Sequence, residues 1–371
     1  MRIILSANTT WYLWNFRRNL IRRLLADGYE VTILSPKDSE SPNLENLGCR
    51  LIDLPISGHG KNVFKEIVLV IKYLVIFRRQ KPDAFLGFTV KPVLYGGIVA
   101  RVCRIASVLT ITGLGTIFIQ ENRTTKLVEI LYRLALRKAR VVLFQNHDDL
   151  AVFVNRALVA QKITSVVPGS GVDLKYFPFT PKNDSSQTGG IKFLMASRLL
   201  RDKGVFEYVS AATITRLIFP ETKFLLAGPI DVGNPNAVLE EQVIEWGQAG
   251  VIKYLGNIDN IIPLIQEVDC IVLPSYREGL SRILLEASAI GRPVIATATA
   301  GCREVIDEGV NGFTCCLRDP EDLARKIQEL IQLPVAVRKQ MGLQGRKKME
   351  REFDEEIVIN RYIVELKKIL D

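Results

Sequence analysis

Short apolar runs alternate along the first half of the chain with longer segments in which apolar residues recur every three or four positions. Strands are predicted at Ile3–Ser6, Glu30–Leu34, Arg50–Asp53, Ala84–Leu86, Ser107–Thr112, Val141–Phe144 and Ile163–Val167. Helices are predicted at Leu13–Ala26, Asn62–Arg79, Pro92–Arg104, Thr124–Lys138 and His147–Arg156. This alternation of strands and helices indicates a doubly wound parallel sheet.

The same alternation returns after a segment rich in Pro, Gly, Ser, Asn and Asp. Strands are predicted at Ile191–Ala196, Thr222–Ala227, Val251–Leu255, Cys270–Leu273, Pro293–Ala296 and Gly312–Cys315. Helices are predicted at Val205–Ile218, Ala237–Gln248, Ile261–Glu267, Ser281–Ile290, Pro320–Ile331, Val335–Arg351 and Glu355–Leu370.

Two α/β domains facing a cleft are the simplest architecture for this pattern, since 371 residues are many for one core. The predicted boundaries are an N-terminal Rossmann-like domain at 1–167, a linker at 168–190 and a C-terminal Rossmann-like domain at 191–352. The remaining residues, 353–371, form a C-terminal helix that packs on either domain and can cross back to the first.

Charge is spread unevenly between the two halves. The net charge is +9, yet residues 1–180 carry 25 Lys and Arg against 13 Asp and Glu. An anionic membrane surface or a phosphorylated acceptor explains this asymmetry better than nucleic acid, because no aromatic-rich basic module is present. We therefore expect no nucleic-acid partner.

Cysteine use and hydropathy indicate a cytoplasmic protein that is soluble or peripheral on the inner face of the membrane. The six cysteines show no Cys-x-x-Cys spacing, which favours reduced thiols. The chain begins directly with a strand and no cleavable signal. No apolar run reaches the roughly 18 residues that span a bilayer.

The segment from Ser275 to Glu286 carries the strongest candidate chemistry. Glu278 lies in a loop after a predicted strand, and Glu286 lies inside the following helix. That helix would direct free N–H groups at the loop, a natural position for phosphate. At a rise of about 1.5 Å per residue, the carboxylates lie on the order of 10 Å apart. This spacing suits a nucleotide sugar, which has hydroxyls at both ends and phosphates between them.

A second loop, Ser197–Gly204, places Arg198 and Lys203 at a strand's carboxyl end. Two cations there suit a diphosphate and the charge that builds as it leaves. A solvated basic loop is the alternative. A buried Glu286 requires hydrogen bonds, from a ribose diol or from an internal partner such as Arg282 or Arg292. For Glu278 the internal alternative is Arg277.

Other site chemistries lack their motifs. The chain has no Gly-x4-Gly-Lys-Ser/Thr loop and no Gly-x-Ser-x-Gly elbow, and Gly113–Gly115 is only half of a dinucleotide fingerprint. With two histidines and no Asp-x-Asp, nothing in the sequence requires a divalent metal or any other cofactor.

The second half resembles the retaining family-4 glycosyltransferases of the GT-B fold. The matching stretches are Ser197–Leu199 with Lys203-Gly204, Ala227-Gly228, Asp269 through Ser275, Glu278-x7-Glu286, Gly291–Thr297, and Glu304-Val305 with Asn311-Gly312. The resemblance implies that Arg198 and Lys203 hold the donor diphosphate, with Ser197 and Ser281 in the same site. It also implies that Glu286 binds the ribose, and that Glu278 and the backbone of Gly279 and Leu280 bind the donor sugar. The base would meet the backbone of Gly256, Asn257 and Ile258.

The first half resembles a narrower group that extends undecaprenyl-diphosphate-linked saccharides. The residues concerned are Ser6–Arg17, Gly87–Pro92 and Thr112–Gly115, where the usual Gly-Gly loop and histidine of the larger family are absent. Arg17 and Lys91, at predicted loop ends, and Thr112 and Gly113 are the candidate acceptor residues. The helix at 62–79 combines an apolar surface with Lys and Arg, typical of a helix in the membrane interface. An ordinary buried helix is the alternative.

We therefore expect a retaining, UDP-sugar-dependent glycosyltransferase that moves an N-acetylhexosamine to an undecaprenyl-diphosphate-linked saccharide. Three alternatives stay open at this stage: a GT-B sugar-nucleotide epimerase, a glycosyltransferase with a soluble acceptor, and a binding subunit without catalysis.

Overall fold

The chain folds into two compact units. The computed structural model describes residues 1–57, 63–114, 123–182, 190–231 and 233–370. Unit 1 comprises Met1–Ser170 and Glu356–Asp371, and unit 2 comprises Gly171–Glu355. The predicted helix start at Asn62, Gly115 of the glycine pair, and 183–189 of the predicted linker lie outside the described residues.

Unit 1 contains a seven-stranded parallel sheet of order β3-β2-β1-β4-β5-β6-β7. Its strands are β1 (Arg2–Ser6), β2 (Glu30–Ser35), β3 (Arg50–Asp53), β4 (Ala84–Phe88), β5 (Ala106–Ile111), β6 (Val141–Phe144) and β7 (Thr164–Val166). The central strands read as continuous apolar runs because both faces of the sheet are covered.

Helices pack on both faces of this sheet. They are α1 (Thr10–Ala26), α2 (Ser41–Asn46), α3 (Val63–Gln80), α4 (Gly97–Cys103), α5 (Arg123–Leu136) and α6 (His147–Asn155), with a π-helix at Pro92–Gly96 and a 3-10 turn at Gln161–Ile163. Successive residues of β1 pack on opposite faces of the sheet. Ile4 is buried in the core that contains residues of α3 to α6, whereas Ile3 and Leu5 are buried in the core that contains residues of α1. The short helix α2 was not predicted.

Unit 2 contains a six-stranded parallel sheet of order β10-β9-β8-β11-β12-β13. Its strands are β8 (Lys192–Ala196), β9 (Lys223–Ala227), β10 (Lys253–Tyr254), β11 (Cys270–Leu273), β12 (Val294–Thr297) and β13 (Gly312–Cys315). Its helices are α7 (Val205–Ile218), α8 (Glu240–Gln248), α9 (Ile262–Glu267), α10 (Arg282–Ile290), α11 (Pro320–Gln332) and α12 (Val335–Lys348), with a 3-10 turn at Arg201–Lys203 and a π-helix at Met349–Phe353.

Two boundaries in unit 2 differ from prediction for identifiable reasons. Helix α8 begins at Glu240 because Ala237 pairs with Leu200 in an antiparallel bridge and the Val238 N–H donates to the Leu199 carbonyl. The predicted linker is also partly structural, since Val172 and Phe177 are buried in the core of unit 2.

The last helix, α13 (Glu355–Leu370), packs on the sheet of unit 1. It buries one apolar face there, made of Val358, Ile359, Tyr362, Ile363 and Leu366. The Tyr362 hydroxyl shares a 2.6 Å hydrogen bond with the Thr110 hydroxyl at the end of β5. The chain thus returns to unit 1 to complete its core.

Candidate active site

The strand order of unit 2 reverses direction between β8 and β11, its topological switch point. Connections from β8 lead toward one edge of the sheet and those from β11 toward the other, so the loops after these strands diverge and leave a crevice. Ligands of open α/β sheets bind in this crevice. The loops are Ser197–Gly204 after β8 and Pro274–Ser281 after β11.

Lys203 and Glu278 join these two loops directly. The Lys203 ammonium lies 2.6 Å from the Glu278 carboxylate, and the side chains are 17% and 15% exposed. The alternative partner for Glu278, the adjacent Arg277, is not the residue that forms this ion pair. One N–H of the ammonium is used, and a lysine has two more to offer a ligand.

Backbone contacts hold the two loops close to one another. The Tyr276 N–H donates to the Asp202 carbonyl at 2.8 Å. Gly204 has φ +78°, and a Cβ there would lie 2.1 Å from the Pro274 carbonyl oxygen. Only glycine meets both conditions, since L side chains disfavour this φ and no other residue lacks a Cβ. The fold therefore requires glycine at position 204, whereas the candidate chemistry concerns the adjacent Lys203.

Arg198 lies in the same loop but points to a different partner. Its guanidinium is 3.6 Å from the carboxylate of Asp231, which follows β9, and its side chain is 56% exposed. An exposed pair at this distance contributes little to stability. Neighbouring Ser197 donates its hydroxyl to the Arg198 carbonyl at 3.1 Å. Arg198 is thus accessible to a ligand at this edge of the sheet.

Glu286 is buried on α10, as the apolar pattern around it predicts. The residue is 9% exposed, and one carboxylate oxygen accepts a 2.7 Å hydrogen bond from Nε of Arg282 one turn earlier. Burial raises the pKa of Glu286, and the charge and hydrogen bond of Arg282 oppose that rise. Of the two internal partners considered, Arg282 is therefore the one observed.

Arg292 has a structural role instead. Its guanidinium donates to the carbonyls of Ile265, Thr180 and Gln266 at 3.1, 2.8 and 2.7 Å. Burial lowers its pKa to about 10, so it remains charged at neutral pH. These bonds tie the residues before β12 to α9.

The remaining predicted donor residues lie at the same edge of the sheet. The Gly256 carbonyl accepts a 2.8 Å hydrogen bond from the Gly228 N–H, which places the loop after β10 beside the loop after β9. Asn257 is exposed, and Ile258 is partly buried against the core. Gly279 and Leu280 lie between Glu278 and α10. Buried Ser281 donates its N–H to the Gly301 carbonyl at 3.2 Å and makes no side-chain cap on α10.

Tyr276 is a site residue that the sequence analysis did not single out. Its hydroxyl donates to the Glu207 carboxylate on α7 at 2.7 Å, and the Arg318 guanidinium lies 4.6 Å from the centre of its ring. Burial and Glu207 raise the pKa of Tyr276 to about 12. This bond anchors the Glu278 loop to the helix that follows the Lys203 loop. An aromatic residue two positions before Glu278 was the available signal.

Unit 1 has its own switch point, between β1 and β4. The Asn8 N–H after β1 donates to the Thr89 hydroxyl after β4 at 3.1 Å, and Oδ1 of Asn8 is buried with no hydrogen-bond partner. Thr112 and Gly113 follow β5, the next strand of the sheet, and are half-buried. An unsatisfied amide oxygen at this position suits a ligand that donates a hydrogen bond.

Lys91 lies two residues beyond Thr89 and lines a cavity of about 550 Å³ in unit 1. Its ammonium pairs with the Glu66 carboxylate of α3 at 2.5 Å. The full lining is Pro36, Pro55, Ile56, Ser57, Phe64, Lys65, Glu66, Val68, Leu69, Lys72 and Lys91. Three lysines beside apolar side chains give this cavity a cationic, amphipathic wall.

The placement of Arg17 at a loop end is wrong. Arg17 lies inside α1 and is 2% exposed. Its guanidinium lies 4.8 Å from the ring centre of Phe88 and 5.5 Å from that of Tyr362, and it donates to the Tyr12 hydroxyl at 3.5 Å. Its Nε is buried with no hydrogen-bond partner. A role for Arg17 in acceptor binding stays a prediction.

Two kinds of feature are absent from the part of the chain that the structure describes. No group of three or more His, Cys, Asp or Glu side chains there could hold a metal ion. No described helix is both long enough and apolar enough to cross a bilayer.

Profiles of two glycosyltransferase families match the chain. Glycosyl transferases group 1 matches residues 178–348, and Glycosyl transferase 4-like matches residues 2–146. The matched ranges take up most of unit 2 and of unit 1. The chain belongs to the family-4 glycosyltransferases of the GT-B fold, and the predicted fold and family are confirmed.

Two curated bacterial relatives extend over nearly the whole chain. One is N,N'-diacetylbacillosaminyl-diphospho-undecaprenol alpha-1,3-N-acetylgalactosaminyltransferase of Campylobacter jejuni, 26% identical over 98% of this chain and 97% of that protein. The other is the capsular polysaccharide biosynthesis glycosyltransferase CapM of Staphylococcus aureus, 23% identical over 92% and 90%. The protein is accordingly a glycosyltransferase of bacterial glycan biosynthesis.

Solved structures show the same fold. A glycosyltransferase from Rickettsia africae superposes with a TM-score of 0.81 at 19% identity and covers 100% of this chain and 98% of its own. Anabaena HepE in complex with UDP superposes with a TM-score of 0.78 at 21% identity, covering 99% and 100%.

Proposed function

We propose that the protein transfers an N-acetylhexosamine from a UDP donor to an undecaprenyl-diphosphate-linked saccharide, with retention of anomeric configuration. The observation that carries the donor half is the Lys203–Glu278 pair across the switch point of unit 2. Support for the acceptor half comes from the Campylobacter jejuni relative, whose name specifies such an acceptor.

The donor would bind along the carboxyl edge of the unit 2 sheet. The diphosphate lies near Lys203 and Arg198, where two cations can share its charge. Glu286 accepts hydrogen bonds from the ribose hydroxyls, and Glu278, held by Lys203, accepts them from the sugar. The base contacts the backbone of Gly256, Asn257 and Ile258, with Ser197 and Ser281 nearby. HepE was solved with UDP, which supports UDP as the nucleotide.

Transfer with retention follows from displacement on one face of the sugar. The bond from the anomeric carbon to the diphosphate oxygen breaks, and a bond to the acceptor hydroxyl oxygen forms. The hydroxyl proton passes to the departing diphosphate, so no protein nucleophile is required. Lys203 and Arg198 stabilise the negative charge that develops on the diphosphate, an interaction strongest in the transition state. No step requires a metal ion or another cofactor.

The acceptor would bind unit 1. Its diphosphate suits the lysine-lined cavity that contains Lys91, because charge-assisted bonds to phosphate are strong and the apolar wall accommodates the start of a lipid chain. Its sugar suits the loops at Asn8, Thr89, Thr112 and Gly113. A lipid acceptor also places the enzyme at the membrane, where the basic first half of the chain meets anionic lipid.

The deciding experiment screens UDP-sugars for transfer onto an undecaprenyl-diphosphate saccharide and determines the linkage of the product. We expect one UDP-N-acetylhexosamine to be transferred with retention. Inversion, or transfer from other nucleotides but not UDP, would overturn the corresponding part of the proposal.

Two controls separate the alternatives. Conversion of a UDP-sugar without acceptor, accompanied by free sugar, would indicate an epimerase. Equal transfer to a water-soluble saccharide lacking lipid and diphosphate would indicate a soluble acceptor.

A further inference from the structure

Helices α3, α4 and α5 form one layer on a single face of the unit 1 sheet. Helix α4 contacts α3 on one side and α5 on the other. The guanidinium of Arg101 on α4 donates to the Leu134 carbonyl of α5 at 3.2 Å. Each helix buries its inner face in the same core, through Leu69, Tyr73 and Phe77 on α3, Val99 and Ala100 on α4, and Tyr132 and Leu136 on α5.

The outer faces of these helices are also apolar. On α3 the exposed positions recur at helical spacing, opposite the buried stripe, and Phe64 is 81% exposed. Helix α5 repeats the arrangement, and Leu127 is 58% exposed. The complete set is Val63, Phe64, Ile67, Val68, Ile71 and Val75 on α3, Val102 on α4, and Leu127, Ile130 and Leu134 on α5. We call these residues the outer apolar surface. A clustered apolar surface of this kind marks an interaction site.

Positive charge borders the outer apolar surface. On α3 the cations Lys65, Lys72 and Arg79 recur every seven residues, a spacing that keeps them along one flank of the exposed stripe. On α5 Lys126 and Arg133 are exposed, and Arg104, Arg137 and Lys138 follow the ends of α4 and α5.

Negative charge on the three helices is neutralised. Their acidic residues are Glu66 and Glu129. Glu66 pairs with Lys91 at 2.5 Å, and Glu129 pairs with Arg156 at 2.8 Å and Arg133 at 3.7 Å. The field that this layer presents is therefore positive.

We infer that α3, α4 and α5 together form a docking surface for an anionic lipid bilayer, with α5 as a second anchor beside α3. Apolar side chains standing on a positive field match the interface of an anionic leaflet, where the chains enter the acyl boundary and the cations meet the headgroups. Long Lys and Arg side chains can reach the headgroups from the flanks while their stems cover apolar surface. This inference rests on the proposed function only for the lipid acceptor. Part of α3 also lines the Lys91 cavity, through Phe64, Lys65, Val68 and Lys72, whereas the residues of α4 and α5 lie outside the candidate active site.

The test measures partition of the full-length protein onto vesicles of neutral phosphatidylcholine and of phosphatidylcholine with phosphatidylglycerol. We expect binding to the anionic vesicles that weakens at high salt. The variant Leu127→Ser with Ile130→Ser should bind on the order of tenfold less, because two apolar side chains no longer enter the interface. Both positions are exposed, so the substitution leaves the core intact.

A matched control replaces exposed apolar residues of unit 2, Leu217→Ser with Ile244→Ser, and should bind like the wild type. Equal binding by the α5 variant and the wild type, or no preference for anionic vesicles, would overturn the inference. Transfer to a saccharide linked to a short-chain, water-soluble lipid diphosphate distinguishes the two proposals. The α5 variant should retain this transfer activity. If the wild type lacks the activity, that result counts against the proposed function and leaves the vesicle result standing.

Discussion

Replacing Glu286 by Gln tests whether the most buried carboxylate of the candidate site acts in donor binding or in folding. Glutamine keeps the size of the side chain and one acceptor oxygen but removes the charge. Hydrogen bonds to charged groups contribute about 1.5–3 kcal/mol, against about 1 for neutral ones. For a ribose diol held by two bonds, each weakened by about 0.5–2 kcal/mol, we expect a loss of about 1–4 kcal/mol, or roughly 5- to 900-fold weaker UDP binding.

Stability should respond in the opposite sense. Because burial raises the folded-state pKa of Glu286 above its unfolded value, its contribution to stability is present at low pH and is lost as pH rises through the folded pKa. Glu286→Gln removes this titration. At neutral pH its free energy of unfolding should equal or slightly exceed that of the wild type, since Arg282 is partly exposed and stays solvated.

Calorimetric titration with UDP and urea unfolding at pH 5 and pH 8 provide the two measurements. The control is Glu329→Gln on α11, a carboxylate of an exposed ion pair in the same unit. UDP affinity unchanged in Glu286→Gln would refute the ribose role. A loss of about 3 kcal/mol or more in stability would show instead that the carboxylate is structural.

Substitutions elsewhere in the candidate site have distinct expected outcomes. Lys203→Ala and Arg198→Ala should each lower turnover about 10²–10³-fold, because charge stabilisation of the leaving diphosphate is lost. The control Lys326→Ala, which breaks an ion pair elsewhere in unit 2, should leave turnover unchanged. Near-normal turnover in both site variants would show that Lys203 and Arg198 do not have this role. Tyr276→Phe should lower kcat about tenfold with a smaller change in KM, since the Glu278 loop loses its anchor to Glu207. Because the pKa of Tyr276 is raised to about 12, its phenol stays protonated and the anchor persists to high pH. A rate that falls between pH 8 and 10 in the wild type but not in Tyr276→Phe would contradict this.

The parallel sheets were predictable because their strands are buried on both faces. Runs such as Val141–Phe144 and Cys270–Leu273 are continuously apolar and bounded by turn residues, and their predicted bounds match the observed strands. Short elements were less predictable. Helix α2 was not predicted, since it has six residues and no long apolar stripe. A strand was predicted at Val251–Leu255, but only Lys253 and Tyr254 join the ladder as β10.

Within the candidate site, residue types were predictable and side-chain partners were not. Burial of Glu286 follows from its apolar neighbours, and its pairing with Arg282 from the i,i+4 spacing. The Lys203–Glu278 pair joins residues 75 positions apart and depends on the strand order β8-β11, which the sequence does not state. The burial of Arg17 was not predictable from its neighbours in sequence. One of the aromatic rings that cover it, that of Tyr362, lies on α13, far along the chain.

The return of α13 to unit 1 has a consequence during protein synthesis. About 200 residues follow Ser170, and a ribosome adding about 5–20 residues per second needs on the order of 10–40 s to produce them. Throughout that interval the nascent first sheet lacks the apolar side chains of Val358, Tyr362 and Leu366. Its maturation must wait until α13 has been synthesised and has left the ribosome, and until then chaperones have an exposed strand surface to protect.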